Sequence, residues 1–419
     1  MGKSTFGKCL RLLKEKGIRE YIECAKSIKK KYHDQIDEQN VLKSYGNLIC
    51  KKHRSAALKI ADKQKYDVAI LDDGLQEKIL NYNITIACFN SSDGIGNSFL
   101  IPSGPLREAV SEYIYNNYQV SVSPDKILIT PGGKPVIFFA ALIFGEKDAE
   151  IIYPDPGFPI YRSMIKFSGA KPIPLILKEK NNFEIDIDEL SKLITNKTRL
   201  IIINNPNNPT GSFMNESKIS NLVKMLEKYP KVAIMSDEIY SKIIFDNNSM
   251  PSLLKYESIR DRLIILEGWS KTFCMTGWRL GWSVWPTKFI DFANKLCVND
   301  HSCPSSISQY AGLEALQGPQ DEINKIVKEF EKRRNFIFEK LNNLKNMNCF
   351  RPGGSFYAFP NVSKSNLSGE KFSEVALNNY GVALVPGTSF GDSAKKYIRL
   401  SYANSLENIE KAINRLSKI

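Results

Sequence analysis

From about residue 120 onward, short apolar runs alternate with longer stretches of helical spacing, and that alternation limits the chain to few folds. Strand-like runs fall at 126–130, 150–153, 171–175, 199–204, 231–236, 262–267 and 279–284. Helical spacing falls between or after them at 135–144, 188–195, 216–228 and 320–344. Strands separated by helices pair in parallel, and the helices then cover both faces of the sheet. The expected fold class is therefore α/β, built on a mostly parallel sheet. In such folds, ligands bind at the carboxyl ends of the strands.

Three of those strand ends carry chemistry. The run 200–204 leads into NNPNNPTG at 204–211, rich in amides and turn residues. The run VAIMSDEIY at 232–240 ends in Asp237, with Tyr240 just beyond. The run 263–266 leads into GWSKTFCMTGWRLG at 268–281, which presents Ser270, Lys271 and Arg279. A lysine in that setting can form a Schiff base with a carbonyl cofactor, and an arginine eight residues later can hold the cofactor's phosphate. A carboxylate such as Asp237 can pair with a pyridinium nitrogen and keep it protonated. Taken singly, each residue has a plainer role: Asp237 as a helix cap, Asn208 as a turn residue, Tyr240 as packing, Lys271 as a surface lysine.

Taken in order, Asn208, Asp237, Tyr240, Lys271 and Arg279 resemble the class I/II aminotransferases, the fold-type I pyridoxal-phosphate enzymes, from about 106 to the C-terminus. The resemblance implies a large domain with one antiparallel strand in its sheet and a small α+β C-terminal lobe. It also implies pyridoxal 5′-phosphate as cofactor and amino-group transfer between an α-amino acid and a 2-oxo acid in a homodimer. ILITPGGK at 127–134 is similar to the strand and turn whose Gly133 and Lys134 N–H groups meet the cofactor phosphate at a helix start. In IIYPDPGFP at 151–159, Phe158 would stack on the cofactor ring, and in YIRLSY at 397–402, Arg399 would fork onto the substrate carboxylate. By the same resemblance Lys271 carries the covalent link and the proton, and Asp237 holds the ring nitrogen. Asn208 and Tyr240 hold the ring oxygen, Asn208 standing beside the substrate as well, and Ser270 and Arg279 hold the phosphate. One position departs from many relatives, which have a serine where Gly268 stands.

The front of the chain resembles a different family, tetraacyldisaccharide 4′-kinase, the lipid A 4′-kinase. VAILDDGLQ at 68–76 has the form of a magnesium-binding strand end, with Asp72 and Asp73 as its carboxylates. GIGN at 94–97 and PSGPLRE at 102–108 follow in that family's order, Asp37 matches its catalytic base, and Gly2-Lys3-Ser4 looks like the tail of a P-loop. The turn that would precede that tail, and the kinase's C-terminal half, have no counterpart here. The expected organisation is thus a truncated kinase-like segment at 1–105, a cofactor-binding large domain at 106–300 and a small domain at 301–419. The alternatives to an aminotransferase are ATP-dependent lipid A phosphorylation and a non-catalytic fusion.

Composition narrows the rest. Of the net charge of +13, most lies in residues 1–66, which hold 17 Lys or Arg against 7 Asp or Glu. That face suits an anionic membrane or, equally, plain solvation. No motif points to nucleic acid. The eight cysteines form no C-x-x-C pair, so no zinc ribbon is expected and no metal site is assigned. The apolar stretch 136–144 is too short to cross a bilayer, and the expected compartment is the cytoplasm.

Overall fold

The computed structural model describes residues 104–419 and, before them, short segments at 21–26, 47–51, 59–60, 63 and 68–70. The chain divides into two compact units, Met1–Ile95 and Gly96–Ile419. In the first, strands β1 (Tyr21–Lys26), β2 (Asn47–Lys51) and β3 (Val68–Ile70) form a parallel sheet in the order β2-β1-β3. Gly2, Lys3, Ser4, Asp37, Asp72 and Asp73 lie outside the described residues.

The second unit is built on seven strands: β4 (Ile127–Thr130), β5 (Glu150–Asp155), β6 (Lys171–Ile176), β7 (Thr198–Asn204), β8 (Ala233–Asp237), β9 (Leu263–Gly268) and β10 (Gly281–Val284). Their order is β4-β10-β9-β8-β7-β5-β6. All neighbours pair in parallel except β10, which runs antiparallel to both β4 and β9. The expected mostly parallel sheet with one antiparallel strand is therefore present.

The central strands β7, β8 and β9 read as nearly unbroken apolar runs because both of their faces are buried, whereas the edge strand β6 is mostly exposed or half-buried. Side chains alternate between two cores: Ile127, Ile201, Ile203, Leu263 and Ile265 enter one, while Leu128, Leu200, Ile202, Ile264 and Leu266 enter the other. Over the first core lie the helices Pro105–Tyr118 and Glu216–Leu226, through Val110, Ile114, Ile219 and Leu222. Over the second lie Lys134–Phe144, Ile160–Phe167 and Thr287–Asp300, through Val136, Phe139, Ile165 and Ala293.

A third core lies in the C-terminal part. There the long helix Asp321–Asn342 and the helices Gly369–Tyr380 and Leu406–Leu416 pack on a three-stranded sheet, order β11-β13-β12. Its strands are β11 (Tyr357–Ala358), β12 (Val385–Pro386) and β13 (Ile398–Ser401). Tyr240, Ile243 and Phe245, just past β8, join this core. Arg334, fully buried, fastens them: it donates to both oxygens of Asp246 at 2.9 and 2.7 Å and to the Pro352 carbonyl at 2.7 Å. A paired, hydrogen-bonded guanidinium is the form in which such a charge can be buried.

Candidate active site

The carboxyl ends of β7, β8 and β9, with the start of the helix Lys134–Phe144, surround a cavity of about 310 Å³. That is the lower end of the range for small-molecule sites, ≈ 300–1,000 Å³. Gly133, Lys134, Phe158, Asn208, Asp237, Tyr240, Ser270, Lys271, Arg279 and Arg399 all line it. Every residue singled out from the sequence for the cofactor and its substrate is thus brought to one place, Arg399 from a strand of the C-terminal lobe.

Asp237 ends β8 and is almost fully buried. Tyr161 Oη donates to its Oδ2 at 2.6 Å and the Ile239 N–H to its Oδ1 at 3.2 Å. Burial pushes this carboxyl up to about 6, against the downward pull of those two hydrogen bonds and of the Lys271 charge. Tyr161 lies on the helix Ile160–Phe167, one turn beyond Phe158, whose ring meets it edge-on at 5.9 Å.

Lys271 sits in the four-residue helix Trp269–Thr272 that β9 feeds. Its ammonium group lies 5.4 Å from the Phe356 ring centre and 6.0 Å from that of Tyr240. Burial lowers its pKa, Arg399 and Arg279 lower it further by repulsion, and Asp237 opposes them. A lysine so placed has more of its amine free near neutral pH than one in water, the condition for a nucleophile.

Arg279 adopts a left-handed backbone, φ 51°, and donates to the Thr276 carbonyl at 3.0 Å. Its guanidinium sits over Gly132, at the amino end of the helix Lys134–Phe144. Gly133 and Lys134, at the start of that helix, line the cavity, where the positive end of the helix dipole lies. The packing here requires glycines: a Cβ on Gly281 would lie 2.6 Å from the Gly132 carbonyl carbon, and one on Gly268 would lie 2.8 Å from the Gly281 Cα. Gly268 therefore has no room for a side chain. Ser270, two residues on, lines the cavity instead.

On the opposite wall, Arg399 donates to Asn208 Oδ1 at 3.0 Å and stacks between Tyr357 and Phe390, 4.3 and 4.6 Å from their ring centres. Asn208 is itself set by its own N–H, which donates to Asn204 Oδ1 at 2.9 Å, and Asn204 donates to the Asp237 carbonyl at 3.0 Å. Tyr240 lies 3.4 Å from Tyr357, hydroxyl to hydroxyl.

Sequence reasoning missed Tyr161, Asn204, Thr276 and Tyr357, which also line the cavity. Tyr161 carried no readable signal, because its helix, Ile160–Phe167, is only two turns long. Tyr357 carried none, because a two-residue strand has no period to read.

A lysine, a carboxylate, two arginines and a helix start thus surround one cavity. The chain belongs to the aminotransferases of class I and II, whose sequence profile it matches over residues 82–416. It is 36% identical to an aspartate aminotransferase of Pyrococcus horikoshii, over 75% of this chain and 80% of that one. It is 33% identical to aromatic-amino-acid aminotransferase 2 of Thermococcus litoralis, over 75% and 81% of the two chains. The crystal structure of an aromatic aminotransferase from Pyrococcus horikoshii superposes with a TM-score of 0.72 at 32% identity, covering 75% of this chain and 84% of that one. Residues 23–124 match the profile of the tetraacyldisaccharide-1-P 4′-kinases, so both resemblances read from the sequence hold.

Membership of this family implies pyridoxal phosphate. The residues present fit it: Asp237 is a buried carboxylate facing the cavity, Lys271 is a half-buried amine, and Arg279 lies beside a helix start. Among the described residues, no helix is long and apolar enough to cross a membrane.

Proposed function

We propose that the cavity is the site of a pyridoxal-phosphate-dependent aminotransferase, which moves an amino group between an α-amino acid and a 2-oxo acid. The observation that carries this reading is the desolvated Lys271 amine in one cavity with the buried Asp237 carboxylate. Pyridoxal 5′-phosphate, when bound, supplies a conjugated electron sink and a carbonyl.

The chain's own residues hold and serve that group. Arg279, Ser270 and the Gly133 and Lys134 N–H groups hold its phosphate. Phe158 covers the ring face, and Asn208 and Tyr240 offer an amide and a phenol to the ring oxygen. Asp237, kept in place by Tyr161 and the Ile239 N–H, holds the proton on the ring nitrogen. Arg399 takes the substrate carboxylate with its planar fork, with Asn208 beside it. Lys271 Nζ provides the covalent anchor and, once released, accepts the substrate α-proton and returns it. Rings on both sides of Arg399 limit water there.

The assembly proposed is a homodimer. Trp278, Phe292, Val298 and Ile307 are large apolar side chains 44 to 74% exposed, the kind of surface that a second copy of the chain would cover. The proposed domains are 106–300 and 301–419, behind the kinase-like 1–105. A second reading attaches to that front segment alone. Its kinase-profile match and parallel β2-β1-β3 sheet support ATP-dependent phosphoryl transfer, and magnesium-dependent ATP turnover by the whole chain is its test.

The aminotransferase reading is tested by Lys271→Ala. The variant is expected to lose both the visible band of lysine-linked cofactor and amino-group transfer. Retention of both would end the assignment.

A further inference from the structure

One carboxylate outside the cavity ties the sheet domain to the strand that carries Arg399. Glu179 lies in a short turn, Glu179–Asn181, that follows β6. Its Oε1 accepts from Asn348 Nδ2 at 2.9 Å, and its Oε2 accepts from Asn361 Nδ2 at 3.1 Å and Tyr397 Oη at 2.9 Å. The three donors come from three separate stretches of the C-terminal lobe. Those stretches are joined to each other: Asn348 and Asn361 exchange backbone hydrogen bonds at 3.0 and 2.7 Å, and Asn361 bridges to Tyr397.

Tyr397 stands two residues before Arg399, so along the extended chain both side chains project to the same side. The Tyr397 ring is stacked on Phe359 at 5.1 Å and meets Phe183 edge-on at 5.5 Å, and with the ring so held its hydroxyl donates to Glu179. No ion pair reaches Glu179 among the described residues, so its charge is held wholly by neutral donors from the other lobe. Hydrogen bonds to a charged acceptor are the strong ones, and three on one carboxylate fix the lobe's approach rather than its internal packing.

We propose that Glu179 is a positioning residue: by holding Tyr397, Asn361 and Asn348 it sets β13 so that Arg399 meets Asn208 and the substrate carboxylate. The inference rests on the aminotransferase reading above. It assigns to Glu179 an effect on substrate affinity, transmitted through Arg399, and none on cofactor capture.

The test uses the full chain loaded with pyridoxal phosphate, with Glu179→Gln and Tyr397→Phe as variants. The amino-acid half-reaction is followed with L-aspartate and L-phenylalanine, alongside cofactor affinity and melting temperature. For Glu179→Gln the expected result is a KM raised about tenfold with kcat within about threefold, the scale for loss of charge-assisted hydrogen bonds. Cofactor affinity stays at the parent value. Combined with Arg399→Lys, the loss is less than the product of the two single losses. Tyr397→Phe keeps the ring stacking and removes one donor, so its KM is expected to rise about threefold. It decides the matter should the glutamine variant not fold. A lowered melting temperature with unchanged KM would make Glu179 a structural clamp only and overturn the inference. A parent enzyme that binds no cofactor would overturn the aminotransferase reading itself, a result seen before any variant is measured.

Discussion

Glu267, on β9 one residue before Gly268, is 1% exposed and accepts hydrogen bonds from Tyr113 at 3.3 Å and Tyr118 at 3.4 Å, both long. Burial, reinforced by the negative charge of Glu238 and opposed by Lys242, raises its pKa from 4.5 to about 7. A carboxyl whose pKa is higher folded than unfolded binds its proton more tightly in the native state. Its contribution is therefore complete below about pH 4.5 and is lost as pH rises through about 7. At roughly 1.4 kcal/mol per pH unit, the full loss is on the order of 3 kcal/mol. Glu267→Gln removes the titration and keeps the shape. Urea unfolding of the cofactor-free protein, read by fluorescence of the buried Trp269 and Trp282, would be measured from about pH 5 to pH 8.5. Relative to the parent, the variant should gain about 2–3 kcal/mol across that range. Glu238 stays ionisable in both proteins, so the difference isolates Glu267 apart from their mutual repulsion. Parallel stability curves for the two proteins would refute the argument that burial of this carboxylate governs its titration.

Two further changes probe the cavity. Tyr161→Phe removes the 2.6 Å bond that lowers the Asp237 pKa, so the acid limb of the kcat profile should move to higher pH, with kcat down about threefold to tenfold; an unmoved limb would separate Tyr161 from the titration. Gly281→Ala places a methyl 2.6 Å from the Gly132 carbonyl carbon and pushes the phosphate-facing helix start aside. An absorbance titration should then show cofactor affinity about tenfold weaker, the scale of a moderate overpacking penalty.

The large sheet was legible because its central strands are buried on both faces. Runs such as 200–204 and 263–266 admit no polar residue until they reach the cavity, so their ends point to the site. The helices Ile160–Phe167 and Ser306–Gln317 were not legible: one is two turns long, and the other presents too weak an apolar stripe to read. In the C-terminal lobe the strands are too short to read: only Tyr357–Ala358 pair as strand there in the run 353–359, where the Ser355 carbonyl is held by the Tyr402 hydroxyl. The links among site residues were equally invisible. That Asn208 receives Arg399, or that Tyr161 holds Asp237, depends on separations of 191 and 76 residues that no local pattern records. The glycine at 268 looked like a departure until its contact with Gly281 gave it a steric reason.

The central claim is that this one cavity captures pyridoxal phosphate on Lys271 and passes an amino group through it. Its most direct test is the visible absorbance of the purified full chain with pyridoxal phosphate, recorded before and after a panel of L-amino acids. The account predicts a band of lysine-linked cofactor that gives way to that of the aminated cofactor when a substrate amino acid is added. No band in the parent chain, or one that no amino acid alters, would contradict it.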